Sequence, residues 1–390
     1  MLNAAAFAVA RVGGRFSLSH AGARCERFAG CAVAGAPGPR KRCSCVSTDH
    51  TRISQEVREL GGTLVERVEC PTALTFLVRG RCAALRRARC SAASRRQRDF
   101  VAPNRPCIIT GVVGAWPAAS HWTDDAYLRA ATGAAPVAVN VTPHGRGDAV
   151  LPSAEHGGDV FVLPQEQRMR FGDFLHALDA SLDDPASASV PYVSAQDGSL
   201  TRDFPALAAD VPAELPFASE AFGTRPDAVN LWCGNDRSVS SFHHDHYENM
   251  YAVIAGEKRF TLLPPCDSRL LRRRRCPVGR FERSDNGGWR VALESPPRRV
   301  SWATVDPHPE PDGPAAGPAF VEVTVRAGEM LYLPALWHHY VRQAGRRVIA
   351  VNWWHDMRFD LRYAYFNFVR KLETAGRRTN ESGGDSDSDE

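Results

Sequence analysis

Beyond Tyr192 the apolar residues fall into short alternating runs: YVSAQ, DAVNLWCG, FHHDHYENMYAVIAG, EKRFTLLPP, VEVTVRAGEMLYLPALWHHYV and VIAVNWWHD, separated by Gly, Pro and Asp. Alternation bounded by turn residues predicts β-strands, and this many at this spacing predicts a double sheet or barrel. RPCIITGVV and VAVNVT add two earlier strands. Helical spacing is rarer. It predicts helices over 124–131 and 171–182, and a packing helix in MRFDLRYAYFNFVRKLE, where Phe359, Tyr363, Phe366 and Val369 recur on one face. In ISQEVRELGGTLVERVE, Ile53, Val57, Leu60 and Leu64 predict one more. Two long loops are expected among the strands, an Arg-rich one around LLRRRRC and a Pro-rich one over 296–318. The fold class is mainly β with flanking helices.

Composition adds boundaries to this pattern. The chain has 390 residues, 44% of them hydrophobic, enough for one large core or two ordinary ones. No run of eighteen apolar residues occurs, so no membrane helix is indicated. The net charge of +4 conceals an asymmetry: residues 1–98 hold 18 Lys/Arg against 6 Asp/Glu, a net +12, which leaves −8 for residues 99–390. An acidic body argues against direct nucleic-acid binding and suits a basic protein partner. Seven of the eleven cysteines precede residue 91 and none forms a CxxC pair, so neither a zinc ribbon nor a disulfide framework is expected.

The expected organisation is a transit-like or disordered extension (1–50), an N-terminal helical segment (51–77), a basic unstructured insertion (78–98), a catalytic domain (99–375) and a disordered acidic tail (376–390). The insertion VRGRCAALRRARCSAASRRQ fits a nucleic-acid arm, a solvated run or a translated intron, because its removal joins PTALTFL smoothly to RDFVAPNRPCII. Cytoplasmic or nuclear location is expected, or an organellar one if residues 1–50 are a transit peptide.

The chemistry concentrates in SFHHDHYENMYAVIAGEKRF, where ionisable residues interrupt a half-buried strand pattern. Such groups are costly to bury unless paired or metal-bound. On a strand, His243 and Asp245 share one face about 7 Å apart and can lean onto one ion. His244, His246 and Glu248 share the other face, but its ends lie roughly 13 Å apart, too far to converge. A third ligand is available from His338 or His339 in GEMLYLPALWHHYV. Two His and a carboxylate with open positions form the facial triad of non-haem Fe(II) oxygenases. A 2-oxo acid would chelate there, and Lys258, assisted by the Ser240 hydroxyl, suits its far carboxylate. The similar pair His308 and Glu310 lies in the Pro-rich loop and is set aside.

HxD, then Lys258, then LPALWHHYV resembles the JmjC family of 2-oxoglutarate- and iron-dependent oxygenases. The resemblance covers roughly residues 99–375, together with the segment at 53–77. VAPNRPCII, PDAVNLWCG, HHDHYENMY, GEKRF and RAGEMLYLPALWHHYV are most similar to its lysyl hydroxylases of developmentally regulated GTP-binding proteins. It implies a double-stranded β-helix (jelly-roll, cupin-like) fold, Fe(II) and 2-oxoglutarate as cofactors, and hydroxylation of a lysyl carbon in a translation-associated GTPase. The pattern W-x-H-x-V selects His339, so His243, Asp245 and His339 are the implied iron ligands. Lys258, Tyr192 and Ser240 would hold 2-oxoglutarate, and Asn249 and Asn352 would line the pocket. Relatives usually have Thr where Ser240 stands. Alternative functions are a histone lysine demethylase, an Arg-directed endopeptidase, for which no HExxH or nucleophile elbow is present, and a non-catalytic cupin-like binding module. The family also suggests a homodimer.

Overall fold

The computed structural model describes residues 65–69, 100–184, 189–308 and 320–381. The segments 1–50 and 78–98, and most of 51–77, lie outside the described residues. Seven strands make the central barrel: β1 (Cys107–Thr110), β2 (Ala228–Gly234), β3 (Val239–His243), β4 (Tyr247–Leu263), β5 (Val321–Arg326), β6 (Met330–Leu333) and β7 (His338–Asp356).

β4 and β7 are long and pair antiparallel along nearly their whole length, with register shifts between Val253 and Glu257. Gly256 (φ 70°) and Gly345 (φ 130°) sit at that corner. A positive φ suits glycine because it has no Cβ. Bulges bend a strand, so each long strand serves two sheets. The first half of β4 pairs with β6 and the second half of β7 pairs with β2, while β6 continues to β1. The second half of β4 pairs with β5, and β3 joins the first half of β7. The result is a cupin-like double-stranded β-helix in which eight strand segments come from six of these strands.

Alternation separates inside from outside. Tyr251, Val253, Phe260, Leu262, Val323, Val325, Leu331, Leu333 and Val341 pack together between the two sheets. Their neighbours Met250, Ala252, Ile254, Ile349, Val351 and Trp353 point the other way. They pack with residues of helices α1 (Asp125–Thr132) and α2 (Phe171–Asp183), among them Leu128, Phe174 and Leu178. Asp124 caps α1 by accepting from the Ala126 N–H, as N-cap carboxylates do.

Several expectations are corrected. Glu66–Glu69 is a strand parallel to β1, where the pattern predicts the end of a helix. Gly61 and Gly62 disfavour a helix there and β-branched Val65 and Val68 favour a strand. The Arg-rich stretch runs from a short helical turn ending at Leu271 into a strand, Arg274–Arg283, at the centre of a side sheet with Ala149–Ser153, Gly158–Leu163, Trp289–Leu293 and Arg299–Trp302. Its buried apolar residues divide between two clusters, Cys276 and Val278 in one and Phe281 in the other, and the interspersed arginines, which are partly or fully exposed, mask the pattern. The last of those partners also breaks the Pro-rich loop. α3 (Leu361–Glu381) buries Phe366 and Val369, but Phe359 precedes it and is 64% exposed. The helix also runs six residues into the tail expected to be disordered from 376.

Candidate metal centre and cofactor pocket

His243 ends β3 and lies directly opposite His339 of β7 in the antiparallel register. Their rings are 4.1 Å apart between centroids. His339 occupies an inward position, one pleat from Val341, whereas His338 faces outward. The alternation of β7 therefore makes the choice between them. His338 packs against His244 and Phe366 on the far side of the sheet.

Asp245 reaches the same point by a route that strand alternation does not describe. β3 stops at His243, and residues 244–246 form a loop before β4 begins. The Leu336 N–H donates to the Asp245 carbonyl at 2.9 Å and the Met357 N–H donates to the His246 carbonyl at 3.1 Å. Pinned so, the Asp245 Oδ2 lies 3.6 Å from His339 Nε2. One ligand atom from each of His243, Asp245 and His339 falls within 4.8 Å of the others. His244 and His246 are not simply surface residues: both contact the aromatic side of α3 or the residues leading into it.

The donor set fits a metal ion. His243 Nδ1 is 2.8 Å from the Ser241 carbonyl, and His339 Nδ1 is 3.0 Å from the Trp337 carbonyl. A carbonyl only accepts, so each Nδ1 carries the proton and each Nε2 presents a lone pair. Burial, with a smaller contribution from His243, lowers the His339 pKa to about 4, so the ring is neutral near pH 7. Two imidazoles and a carboxylate leave open positions and match Fe(II) in oxygenases.

Beyond the triad, Lys258 is fully buried inside the barrel. Its Nζ donates to the Tyr192 hydroxyl at 3.0 Å and lies over the Tyr192 and Tyr251 rings. Burial lowers its pKa to about 7, because a dry site penalises the charged form. A carboxylate brought to the ammonium would offset that penalty. Tyr192 ends the short strand Val190–Tyr192, and a bridge from Val193 to Cys233 ties it to β2. A Cβ on Gly234 would come 2.7 Å from the Tyr192 ring, so the glycine lets the tyrosine lie flat on β2. Ser240, Tyr192, His243 and Asp245 all line one cavity.

Asn249 on β4 and Asn352 on β7 are both buried. Asn352 Nδ2 donates to Asn249 Oδ1 at 3.1 Å, and Asn352 Oδ1 accepts from Trp232 Nε1 at 2.8 Å and Asn230 Nδ2 at 3.3 Å. These buried amides hold Trp232, which lines the cavity. Trp232, Asn140 and Trp302 were not singled out from sequence. Only the inward alternation of NLWCG hints at the first; the other two come from sheets whose approach leaves no local signal. His308 is buried against Thr261 at 2.9 Å and takes no part in the site.

Comparison with known proteins agrees with this geometry. The cupin-like domain family matches residues 93–361. Lysine-specific demethylase JMJ32 of Arabidopsis thaliana is 36% identical over 334 residues, 82% of this chain and 89% of that protein. The bifunctional peptidase and (3S)-lysyl hydroxylase JMJD7 of Homo sapiens is 41% identical over 283 residues, 71% of this chain and 85% of that protein. JmjC domain-containing protein E of Dictyostelium discoideum is 34% identical over 331 residues. Similarity of this extent, over a barrel that converges two histidines and an aspartate, means that the chain belongs to the cupin-like JmjC family of Fe(II)- and 2-oxoglutarate-dependent oxygenases.

Proposed function

We propose that this Fe(II)- and 2-oxoglutarate-dependent hydroxylase acts on a lysyl side chain of a protein, and that the protein is a translation-associated GTPase. When bound, Fe(II) with 2-oxoglutarate and dioxygen supplies the oxidising power that converts a C–H bond to C–OH, with succinate and carbon dioxide as co-products. His243, Asp245 and His339 would hold the metal, and Lys258, Tyr192 and Ser240 the far carboxylate of 2-oxoglutarate. What remains for the chain is to select one C–H and keep bulk water away from it.

The observation that carries the lysyl reading is the 41% identity to the human (3S)-lysyl hydroxylase over 71% of this chain. The Arabidopsis relative is named for lysine demethylation, and that reading shares the same metal centre. Both act on lysine and differ in the C–H that is offered. The test is mass spectrometry of a developmentally regulated GTP-binding protein and of trimethylated histone peptides, each incubated with enzyme, Fe(II) and 2-oxoglutarate. One oxygen gained on a lysine carbon of the GTPase, with the histone peptides intact, is the expected result. Methyl loss from a histone peptide without that oxygen gain overturns it.

A further inference from the structure

We propose that Ser241 is a positioning residue for the metal centre: through its hydroxyl the side sheet fixes the direction in which His243 presents its donor nitrogen. The inference rests on His243, Asp245 and His339 as the metal ligands and deepens that reading. It does not depend on which protein is hydroxylated.

β3 reaches the site through a bulge. Ser240 lies opposite Val341 and His243 opposite His339, so β3 advances three residues where β7 advances two. Residues three apart on a regular strand face opposite sides, yet Ser240 and His243 both line the cavity. The extra residue makes this possible, because a bulge re-aims the side chains that follow it. Phe242 packs outward with Tyr340 and Leu263, which leaves Ser241 as the inserted residue. The parallel ladder with Arg146–Gly147 also ends one residue earlier, at Ser240. Ser241 therefore sits where neither neighbouring strand continues the regular pairing, although a metal ligand lies two residues on.

The serine side chain supplies what the ladder lacks. Its Oγ accepts from Trp302 Nε1 at 2.9 Å, and its hydroxyl donates to the Asp148 carbonyl. Both partners are carried by the side sheet: Asp148 directly precedes the strand Ala149–Ser153, and Trp302 ends Arg299–Trp302. Trp302 is itself buried, with its ring centroid 4.5 Å from that of Phe161. The carbonyl of the same Ser241 accepts from His243 Nδ1 at 2.8 Å. That bond sets the tautomer and ring plane of His243, and so the direction of the Nε2 lone pair. Trp302 N–H, the Ser241 hydroxyl and carbonyl, and His243 N–H thus form one relay from the side sheet to a metal ligand.

The experiment reads metal binding without turnover. Metal-free wild type, Ser241→Ala, Trp302→Phe, the double variant, Val291→Ala and His339→Ala are titrated with Mn(II), and free Mn(II) is followed by electron paramagnetic resonance. Thermal unfolding of each metal-free protein records its loss of stability. Ser241→Ala removes both side-chain bonds, and Trp302→Phe removes the indole N–H while keeping a ring against Phe161. Val291→Ala loosens a different apolar cluster of the side sheet and leaves the relay intact. Ser241→Ala should raise the Kd for Mn(II) about tenfold, the lower end of what losing an orienting partner of a metal ligand costs. Trp302→Phe should raise it by a smaller factor and add nothing in the Ser241→Ala background, because both act through one relay. Val291→Ala should keep the wild-type Kd despite a lower Tm. A wild-type Kd in folded Ser241→Ala or in Trp302→Phe overturns the relay and leaves the metal centre standing. So does an equal weakening in Val291→Ala, which would mean general loosening. Wild-type affinity in His339→Ala overturns the metal centre itself, and this inference with it.

Discussion

At the scale of single residues, the barrel's most costly side chain is Lys258, a fully buried ammonium whose hydrogen-bond acceptor is a phenol. Its pKa of about 7 in the folded chain lies far below the value of about 10.4 in an unfolded one. Below pH 7 both states hold the proton and the folded state bears the whole burial penalty. Between pH 7 and 10 the unfolded state binds more protons, so stability rises with pH. Thermal unfolding of metal-free protein without 2-oxoglutarate should show wild type gaining stability across that window by an amount on the order of a few kcal/mol, and Lys258→Met lacking the gain. Parallel pH profiles for the two proteins would mean that the lysine is solvated. For the co-substrate the sign is opposite, because the ammonium form binds the dicarboxylate. The KM for 2-oxoglutarate should climb above pH 7, and Lys258→Ala should raise it sharply with little change in iron affinity. The role of Lys258 and the HxD pair was readable because each lies in one local pattern. The contact between Asn249 and Asn352 was not, since it comes from a β4–β7 pairing about a hundred residues apart.

At the scale of elements, the double-stranded helix depends on two corners where long strands pass from one sheet to the other. At the β4 corner, a Cβ on Gly256 would sit 2.8 Å from Val348 Cγ2 and 2.9 Å from the Arg347 carbonyl, on a backbone of φ 70°. Gly256→Ala therefore adds left-handed strain to a backbone clash. It should lower stability by about 1–3 kcal/mol, measured by denaturant midpoint at constant slope. A variant as stable as wild type would show that the corner relaxes freely. The sequence pattern located Gly256 as a turn between two strands, and both strands are where alternation put them. It did not show that β4 is continuous through that glycine, because continuity is set by pairing with β7, which lies about eighty residues further on. The side sheet was missed for a related reason. A strand whose outward positions are filled by arginine reads as a charged loop until its neighbours are known. The loop at 244–246 is the reverse case. Alternation pointed to His243 and Asp245, the pair that converges with His339, although Asp245 is delivered by a turn held to Leu336.

For the whole molecule, the issue is whether the metal builds its site or enters one already formed. The three donors arrive from the end of β3, the loop after it and the inward face of β7, and each is fixed by the protein alone. His243 bonds to Ser241, His339 to Trp337, and the Asp245 backbone to Leu336. Behind them lie two hydrophobic clusters, one within the barrel and one between sheet and helices, that owe nothing to the ion. Small metal domains that lack such a core unfold when the metal is removed. Here chelation should abolish succinate formation while the far-UV circular dichroism spectrum persists. Restoring Fe(II), or Mn(II) as an inert substitute, should raise Tm in a concentration-dependent way. The gain follows mass action and reaches about 2.7 kcal/mol at a hundredfold excess over Kd. His339→Ala should stay folded, show no turnover and lose most of that increment, because one of three donors is gone. A chelated protein that loses its β-spectrum would show instead that the ion organises the barrel. Turnover surviving in His339→Ala would remove that histidine from the centre, and with it the register between β3 and β7 as the device that assembles the site.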